Sequence, residues 1–309
     1  MQREQLNSPT VGWLGTGRMG AAMAGRLIDA GVAVTVWNRT AAKTEPLRGR
    51  GATVASALGE LGGCEVVFTM VSTPSDLEQV LVGDGGLLTA RPHPAIIVDC
   101  STVDPQTSAR VRAEVNATGA QFLAAPISGN PHVVAGGEAV LVSSGPRVTY
   151  DRTRALLETI ARVAIYAGDG EQARVVKICH NLYLGMLAQS LSEVTVLAEK
   201  SGVDRAAFLE FLNSTVLATE WVRRRTPDML ALDWTPTFTT ELLRKDFDLG
   251  LAAARQQEVT MPLAAGVMQI LQSAIGHGYR DADFLSLFEL EATLSGLHLA
   301  PTDPDTQPE

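Results

Sequence analysis

Residues 177–181 read Lys-Ile-Cys-His-Asn, a lysine and an asparagine four positions apart in a segment that is otherwise largely apolar. On a helix this spacing puts Lys177, Asn181, Leu184 and Ala188 on one stripe, so ammonium and amide face one cleft. A charged lysine taken out of water without a partner is so unfavourable that the group shifts its pKa or finds a task. The task open to it is proton transfer: an ammonium protonates a developing alkoxide, and a neutral amine takes the proton back. The plainer reading of Lys177 is a side chain that snorkels to the surface. His180, about 100° round the helix from Asn181, is a candidate substrate ligand or second titrating group, and its plainer reading is packing against a neighbouring helix.

A second group of residues points to a phosphate-bearing ligand. Gly15-Thr16-Gly17-Arg18-Met19-Gly20 follows an apolar β-branched run and opens a helical stretch. In that context the glycines allow a tight turn and let a pyrophosphate approach the helix N-terminus. The next run ends in Trp37-Asn38-Arg39-Thr40, where an NAD site carries an acid for the ribose hydroxyls. With no carboxylate to repel a 2′-phosphate and an arginine fork to grip one, the site favours NADP over NAD. Residues 15–19 and 38–40 are thus the expected cofactor contacts.

These residues need a scaffold, and the chain supplies two kinds of segment. Up to about residue 168, short apolar runs at 10–15, 33–38, 65–72, 95–101, 121–128, 139–144 and 163–168 alternate with helix-length stretches. Such runs are what parallel strands covered on both faces look like, so residues 1–169 are expected to form an α/β, doubly wound Rossmann domain. Gly31 after one helix, and Asp104 with Pro105 before another, are the punctuation it requires. Beyond Gly170 the strand signals stop. Residues 170–300 are expected to be all-α, built around a long central helix over 171–200, and the polar, proline-rich 301–309 to be a disordered tail.

Composition narrows the function classes. At 46% hydrophobic and 19% charged, 309 residues suit a globular protein of two domains. A net charge of -9 argues against a nucleic-acid partner. Three cysteines, an odd number without a C-x-x-C pair, fit a reducing compartment and offer no metal cluster. No signal-like start and no membrane-length apolar run is present, so a cytoplasmic location without membrane contact is expected.

Taken in order, GTGRMGAAMAGRL, Asp99-Cys100-Ser101-Thr102, Ala125-Pro126-Ile127-Ser128-Gly129, KICHN and Lys245-Asp246 resemble the motifs of the β-hydroxyacid dehydrogenases. The resemblance spans nearly the whole chain. It implies a Rossmann domain followed by a helical domain, a homodimer or homotetramer, and a small acid as substrate. It further implies that Lys177 is the catalytic acid/base and that Asn181 helps hold the substrate. Ser128 and Gly129 would bind the substrate's acid group, Thr102 and the Val71-Ser72 backbone would touch the cofactor, and Lys245 would lie near the nicotinamide. Burial and a second cation such as Lys245 are expected to lower the lysine from about 10.4 toward about 7 to 8, where it serves as acid and base.

Two positions depart from the family pattern. Asn130-Pro131-His132 stands where a further glycine is common, and His180 where a second asparagine is frequent. Both lie where the acid group or its neighbours would bind, so Asn130 joins the substrate contacts. Trp221 is a candidate to close the pocket from the helical part, or else a core residue. Arg223-Arg224-Arg225 is expected to be solvated surface. Two other readings compete: an imine reductase of the same architecture, a group that generally lacks this lysine, and a cofactor-binding module without turnover.

Overall fold

The computed structural model describes residues 9–89 and 91–302. In chain order the elements of the first half are β1 (Val11–Leu14), α1 (Arg18–Asp29), β2 (Val34–Trp37), α2 (Glu45–Arg48), β3 (Thr53–Val54), β4 (Val66–Thr69) and α3 (Pro74–Leu81). There follow β5 (Ile96–Asp99), α4 (Pro105–Ala117), β6 (Gln121–Ala124), β7 (Ile127–Ser128), α5 (Pro131–Ala135), β8 (Val140–Ser144), α6 (Arg147–Ile160) and β9 (Val163–Gly168). The rest is helical: α7 (Gln172–Lys200), α8 (Arg205–Ser214), α9 (Glu220–Ala231), α10 (Thr240–Gln256), α11 (Pro262–Gly276) and α12 (Leu287–Leu294). Two compact units divide the chain, one reaching Ile178 and the other beginning at Cys179. The tail expected from 301 lies, after Thr302, outside the described residues.

The first unit is a Rossmann sheet in the order β3-β2-β1-β4-β5-β6, parallel throughout that stretch. Strands β1, β4 and β5 are buried at every residue because helices cover both faces. Trp13, Met23, Leu27 and Phe68 form the core on one side, with Trp13 stacked on Phe68 at 5.2 Å. Leu14, Val67, Ile97 and Phe122 belong to the core on the other. Helix α1 ends before Gly31, which takes φ +82, and Asp104 caps α4 by accepting from the Thr107 amide at 2.7 Å.

The far edge of the sheet departs from the parallel pattern. Pro126 has no N–H to donate, and the run 121–128 splits there into β6 and β7. The connection from β7 to β8 holds only the five-residue helix α5, too short for a crossover, so β8 returns antiparallel to both. Strand β9 then pairs parallel with β8 and is not covered on both faces, since Val163 and Ile165 are exposed.

Register aligns one row of residues across the carboxyl end of this sheet: Leu14 opposite Thr69, Thr69 opposite Asp99, Asp99 opposite Ala124, and Ala124 opposite Ser144. Helix α7 is anchored on this row. Its Ala173 amide donates to the Ser144 hydroxyl at 3.0 Å. Arg112 of α4 donates to the Glu171 carboxylate at 2.7 Å and to the Gly170 carbonyl at 3.0 Å.

The second unit is helical, with a core of Leu191, Leu209, Met229, Leu285 and Phe288 among others. Helix α9 falls within the expected all-α part and carries an internal Pro227. Thr219 starts it by accepting from the Val222 amide, and Leu232 in the left-handed region ends it. Arg225 is a correction to the expected solvated cluster: it is buried and donates to Asp283 at 2.7 Å, while Arg224 is exposed beside Glu220. Asp283 in turn accepts from the Thr237 and Leu285 amides, which holds the α9–α10 connection to the start of the last helical segment.

Candidate active site

The glycine loop has the geometry of a phosphate cradle. Gly15 lies at φ +93, and a Cβ there would fall 2.2 Å from the Met70 carbonyl oxygen. A Cβ on Gly20 would fall 1.9 Å from the Gly15 oxygen, so loop and helix close together only without side chains. At Gly17 a Cβ would meet nothing within 4 Å: it would project into open space at the start of α1. That helix end has no side-chain cap and no acid in its first turn, which leaves its amides for an anion. A dinucleotide pyrophosphate fits these residues. Arg18 is exposed beside the cradle, and Met19 packs inward on the core.

Asn38 contributes by holding the loop in shape. Its Oδ1 accepts from the Thr16 amide at 2.9 Å and its Nδ2 donates to the Thr40 carbonyl at 3.0 Å. The Thr16 hydroxyl donates to the Lys43 carbonyl, which ties the loop to the chain after β2. Arg39, largely exposed, lies 3.5 Å from Asp76. It lines a cavity of about 370 Å³ together with Asn38, Thr44, Arg48 and Ser56. Arg48, 3.5 Å from Glu45, is a second guanidinium at this cavity that the motif reading does not include. Exposed pairs of this kind contribute at most about 1 kcal/mol, so either arginine can turn to a phosphate.

Behind the loops that follow β4 and β5 lies a buried polar network. Asp99, fully buried, accepts from the Thr69 hydroxyl at 2.5 Å and the Ser101 hydroxyl at 2.7 Å. The Ser101 hydroxyl accepts from the Val71 amide at 2.9 Å. Val71 and Thr102 are thereby held at the carboxyl end of adjacent strands, half-buried, with Ser72 exposed beside them. Burial pushes the Cys100 thiol well above its ordinary range, the neighbouring Asp99 adding to the effect.

After β7 the chain turns at Gly129, whose φ of +136 and 3.0 Å approach of a Cβ to Val133 both disfavour a side chain. The Asn130 Oδ1 accepts from the Val133 amide at 3.0 Å, and Pro131 fills the first turn of α5. The departure at Asn130-Pro131 is therefore a helix N-terminus, with cap and first-turn proline both in place. Half-buried Ser128 precedes it on β7.

Lys177 is half-buried on α7, one turn beyond the wholly buried Arg174. Asn181 is buried in the second unit and its amide nitrogen donates to Asp246 Oδ2 at 2.5 Å. A carboxylate only accepts, so Nδ2 faces Asp246 and Oδ1 faces His180 Nδ1 at 2.9 Å. His180 then carries its proton on Nδ1 and orients the amide, a role that packing against a neighbouring helix does not describe. Lys245 Nζ stands 3.1 Å from Asp246 Oδ1. Asp246, quoted in the Lys245-Asp246 motif without a role, is buried between an amide and an ammonium. Trp221 stacks on Phe284 at 6.1 Å, against the helical core.

The structure thus gathers the glycine loop, Asn38–Thr40, Val71–Ser72 and Thr102 at strand ends of the first unit, and Asn181, Lys245 and Asp246 in the second. Comparison with known families finds a match for each part of the chain. The NAD binding domain of 6-phosphogluconate dehydrogenase matches residues 10–168, and the family described as NAD-binding of NADP-dependent 3-hydroxyisobutyrate dehydrogenase matches residues 171–290. The chain belongs to the β-hydroxyacid dehydrogenase family. Like its relatives in that family, it is an NAD(P)-dependent oxidoreductase acting on CH–OH groups.

Among the relatives of this β-hydroxyacid dehydrogenase is 3-hydroxyisobutyrate dehydrogenase of Pseudomonas aeruginosa, 32% identical over 82% of the chain and 88% of the relative. Chloroplastic glyoxylate/succinic semialdehyde reductase 2 of Arabidopsis thaliana is 30% identical over 93% of the chain and 80% of the relative. The structure of Mycobacterium tuberculosis 3-hydroxyisobutyrate dehydrogenase with L-serine superposes with a TM-score of 0.81 at 26% identity, covering 91% of this chain and 98% of that one. Among the described residues no helix is long and apolar enough to cross a membrane, and no group of His, Cys, Asp and Glu could hold a metal ion.

Proposed function

We propose that this β-hydroxyacid dehydrogenase uses NADP and interconverts a small β-hydroxy acid with its semialdehyde, with Lys177 as general acid/base. The supporting observation is the anchorage of α7 on the carboxyl edge of the Rossmann sheet. Ser144 and Asp99 are in one registered row and hold the helix start, so Lys177 follows one turn after an anchor at the strand ends where the glycine cradle also opens. The nicotinamide supplies or takes the hydride when bound. The chain's own work is to move the matching proton, which an ammonium or amine at the reacting oxygen does. Hydride delivery to an aldehyde carbon then leaves a hydroxyl rather than an alkoxide.

In this reading Ser128 and the turn at Gly129 receive the substrate's carboxylate. Asn130 offers its amide nitrogen, since its oxygen is committed to the cap of α5. Within the second unit, His180 and Asp246 clamp the Asn181 amide, and Trp221 packs on Phe284. The semialdehydes named for the plant relative and the β-hydroxy acids named for the bacterial ones share one shape: an acid group a few atoms from a carbonyl or hydroxyl carbon. Three free cysteines suit a reducing compartment such as the cytoplasm.

NADP rather than NAD rests on Arg39 and Arg48 at the cavity after β2, where no side chain lining the cavity is acidic. Replacing Arg39 by alanine is expected to weaken NADPH binding about tenfold, or 1.4 kcal/mol, and to leave NADH binding unchanged. A cofactor-fluorescence titration measures both, and equal loss for the two cofactors would remove the 2′-phosphate role. Turnover is tested by following NADPH absorbance as it rises with NADP and 3-hydroxyisobutyrate and falls with glyoxylate, succinic semialdehyde or cyclic imines. Semialdehyde reduction supports the reading, and activity on imines alone opposes it.

A further inference from the structure

Resting on the acid/base reading above, we infer that Arg174 is a positioning residue: its buried guanidinium locks the first turn of α7, and so Lys177, to the cofactor loops after β4 and β5. Nothing in the motif comparison singles this residue out. An arginine inside an apolar helix raises the same question as the lysine, and here the partners are visible.

Arg174 is wholly buried, and so is the Asp99 carboxylate it meets. Its Nη2 donates to Asp99 Oδ2 at 2.6 Å, its Nη1 to the Ser101 carbonyl at 2.7 Å, and its Nε to the Ser108 hydroxyl at 3.0 Å. One rigid fork thus spans the end of β5, the following loop and the start of α4. The chain of bonds continues: the other Asp99 oxygen accepts from Ser101 Oγ, which accepts from the Val71 amide. Val71, a candidate cofactor contact, is therefore joined to α7 by three consecutive hydrogen bonds through buried groups, and Ser101, next to Thr102, by one. Lys177 lies one turn along the same helix, about 4.5 Å up its axis.

Stability alone does not explain such a device. A buried ion pair is often no better for folding than apolar residues of the same volume. What it does provide is fixed geometry, since a planar fork bonded to three partners cannot slide, and a lysine could satisfy only part of the set. Proton transfer needs that precision, because a misplacement of about 1 Å can cost about 10²-fold in rate.

The test uses the full-length enzyme. Arg174→Met alone strands a buried carboxylate and can cost the fold, so the decisive variant is the pair Asp99→Asn/Arg174→Met, which removes both charges. In that variant the amide oxygen at position 99 can still accept from Thr69 and Ser101, so the expected result is NADPH binding within a few-fold of wild type, an unchanged KM for the semialdehyde, and a kcat lowered about 10²-fold. Arg174→Lys should recover part of the loss. A purely structural role would instead lower the melting temperature while kcat per folded molecule stayed at the wild-type value, and that outcome overturns the inference. The parallel variant Lys177→Met separates the two levels. Activity that needs Lys177 but survives the double substitution sinks the positioning role alone, whereas activity that survives Lys177→Met sinks the acid/base reading and the positioning role with it.

Discussion

At the scale of single residues, the site is built as much from absent side chains as from present ones. Gly15 and Gly17 belong to one motif yet answer different needs: the first is closed in by the Met70 carbonyl, the second faces open space. Gly15→Ala is therefore expected to lower the melting temperature, because the added methyl meets backbone in a conformation that favours glycine. Gly17→Ala should fold normally and weaken NADPH binding about tenfold, or 1.4 kcal/mol, by filling the cradle. Thermal melts and cofactor titrations on the two variants check the contrast, and identical behaviour would contradict it. The same scale shows why some site residues were legible and others not. Lys177 and the glycines announce themselves by type. Asp246 and Asp99 stand in quoted motifs, but their roles were not legible, because a carboxylate in a helix or at a strand end has the composition of any surface acid until its burial and partners are known.

At the scale of elements, punctuation decides where side chains point. Asp104 caps α4 through the Thr107 amide, and α4 carries both Ser108 and Arg112, which hold the start of α7. Asp104→Ala is expected to cost about 1 kcal/mol of stability, measured by urea unfolding, with little effect on cofactor affinity. A loss many times larger would mean that the cap also supports the loop after β5. Strand positions were legible because apolar β-branched runs bounded by turns have few other uses, and β1, β2, β4 and β5 fall inside the expected runs. Strand direction at the far edge was not, because it depends on the length of the β7–β8 connection and on Pro126 rather than on apolar pattern. The burial of Arg225 was hidden by neighbours that are exposed while it is not. Asn130-Pro131 looked like a change in the substrate site and is also a helix cap, which the sequence motif S/T/D/N followed by proline could have indicated.

At the scale of the whole molecule, α7 is apolar on more than its buried side. Tyr183, Leu187, Ser190, Val194 and Leu197 follow one another at intervals of four and three, and Tyr183, Val194 and Leu197 are exposed. That spacing is the seam of packed helices, and the homodimer that the family resemblance implies would cover it with a second copy of the same helix. Leu197→Glu is expected to convert a dimer to a monomer in sedimentation velocity, and a wild-type monomer at micromolar concentration would refute this arrangement. The central claim, that this fold delivers hydride to a semialdehyde while Lys177 supplies the proton, has a more direct test. NADPH carrying deuterium at both C4 positions of the nicotinamide is mixed with succinic semialdehyde and excess enzyme in a single turnover. Wild type should place the label on the new hydroxyl-bearing carbon, and Lys177→Met, still binding NADPH, should do so about 10²–10⁴-fold more slowly. Unlabelled product, or label transferred as fast by the variant as by the wild type, would contradict the claim.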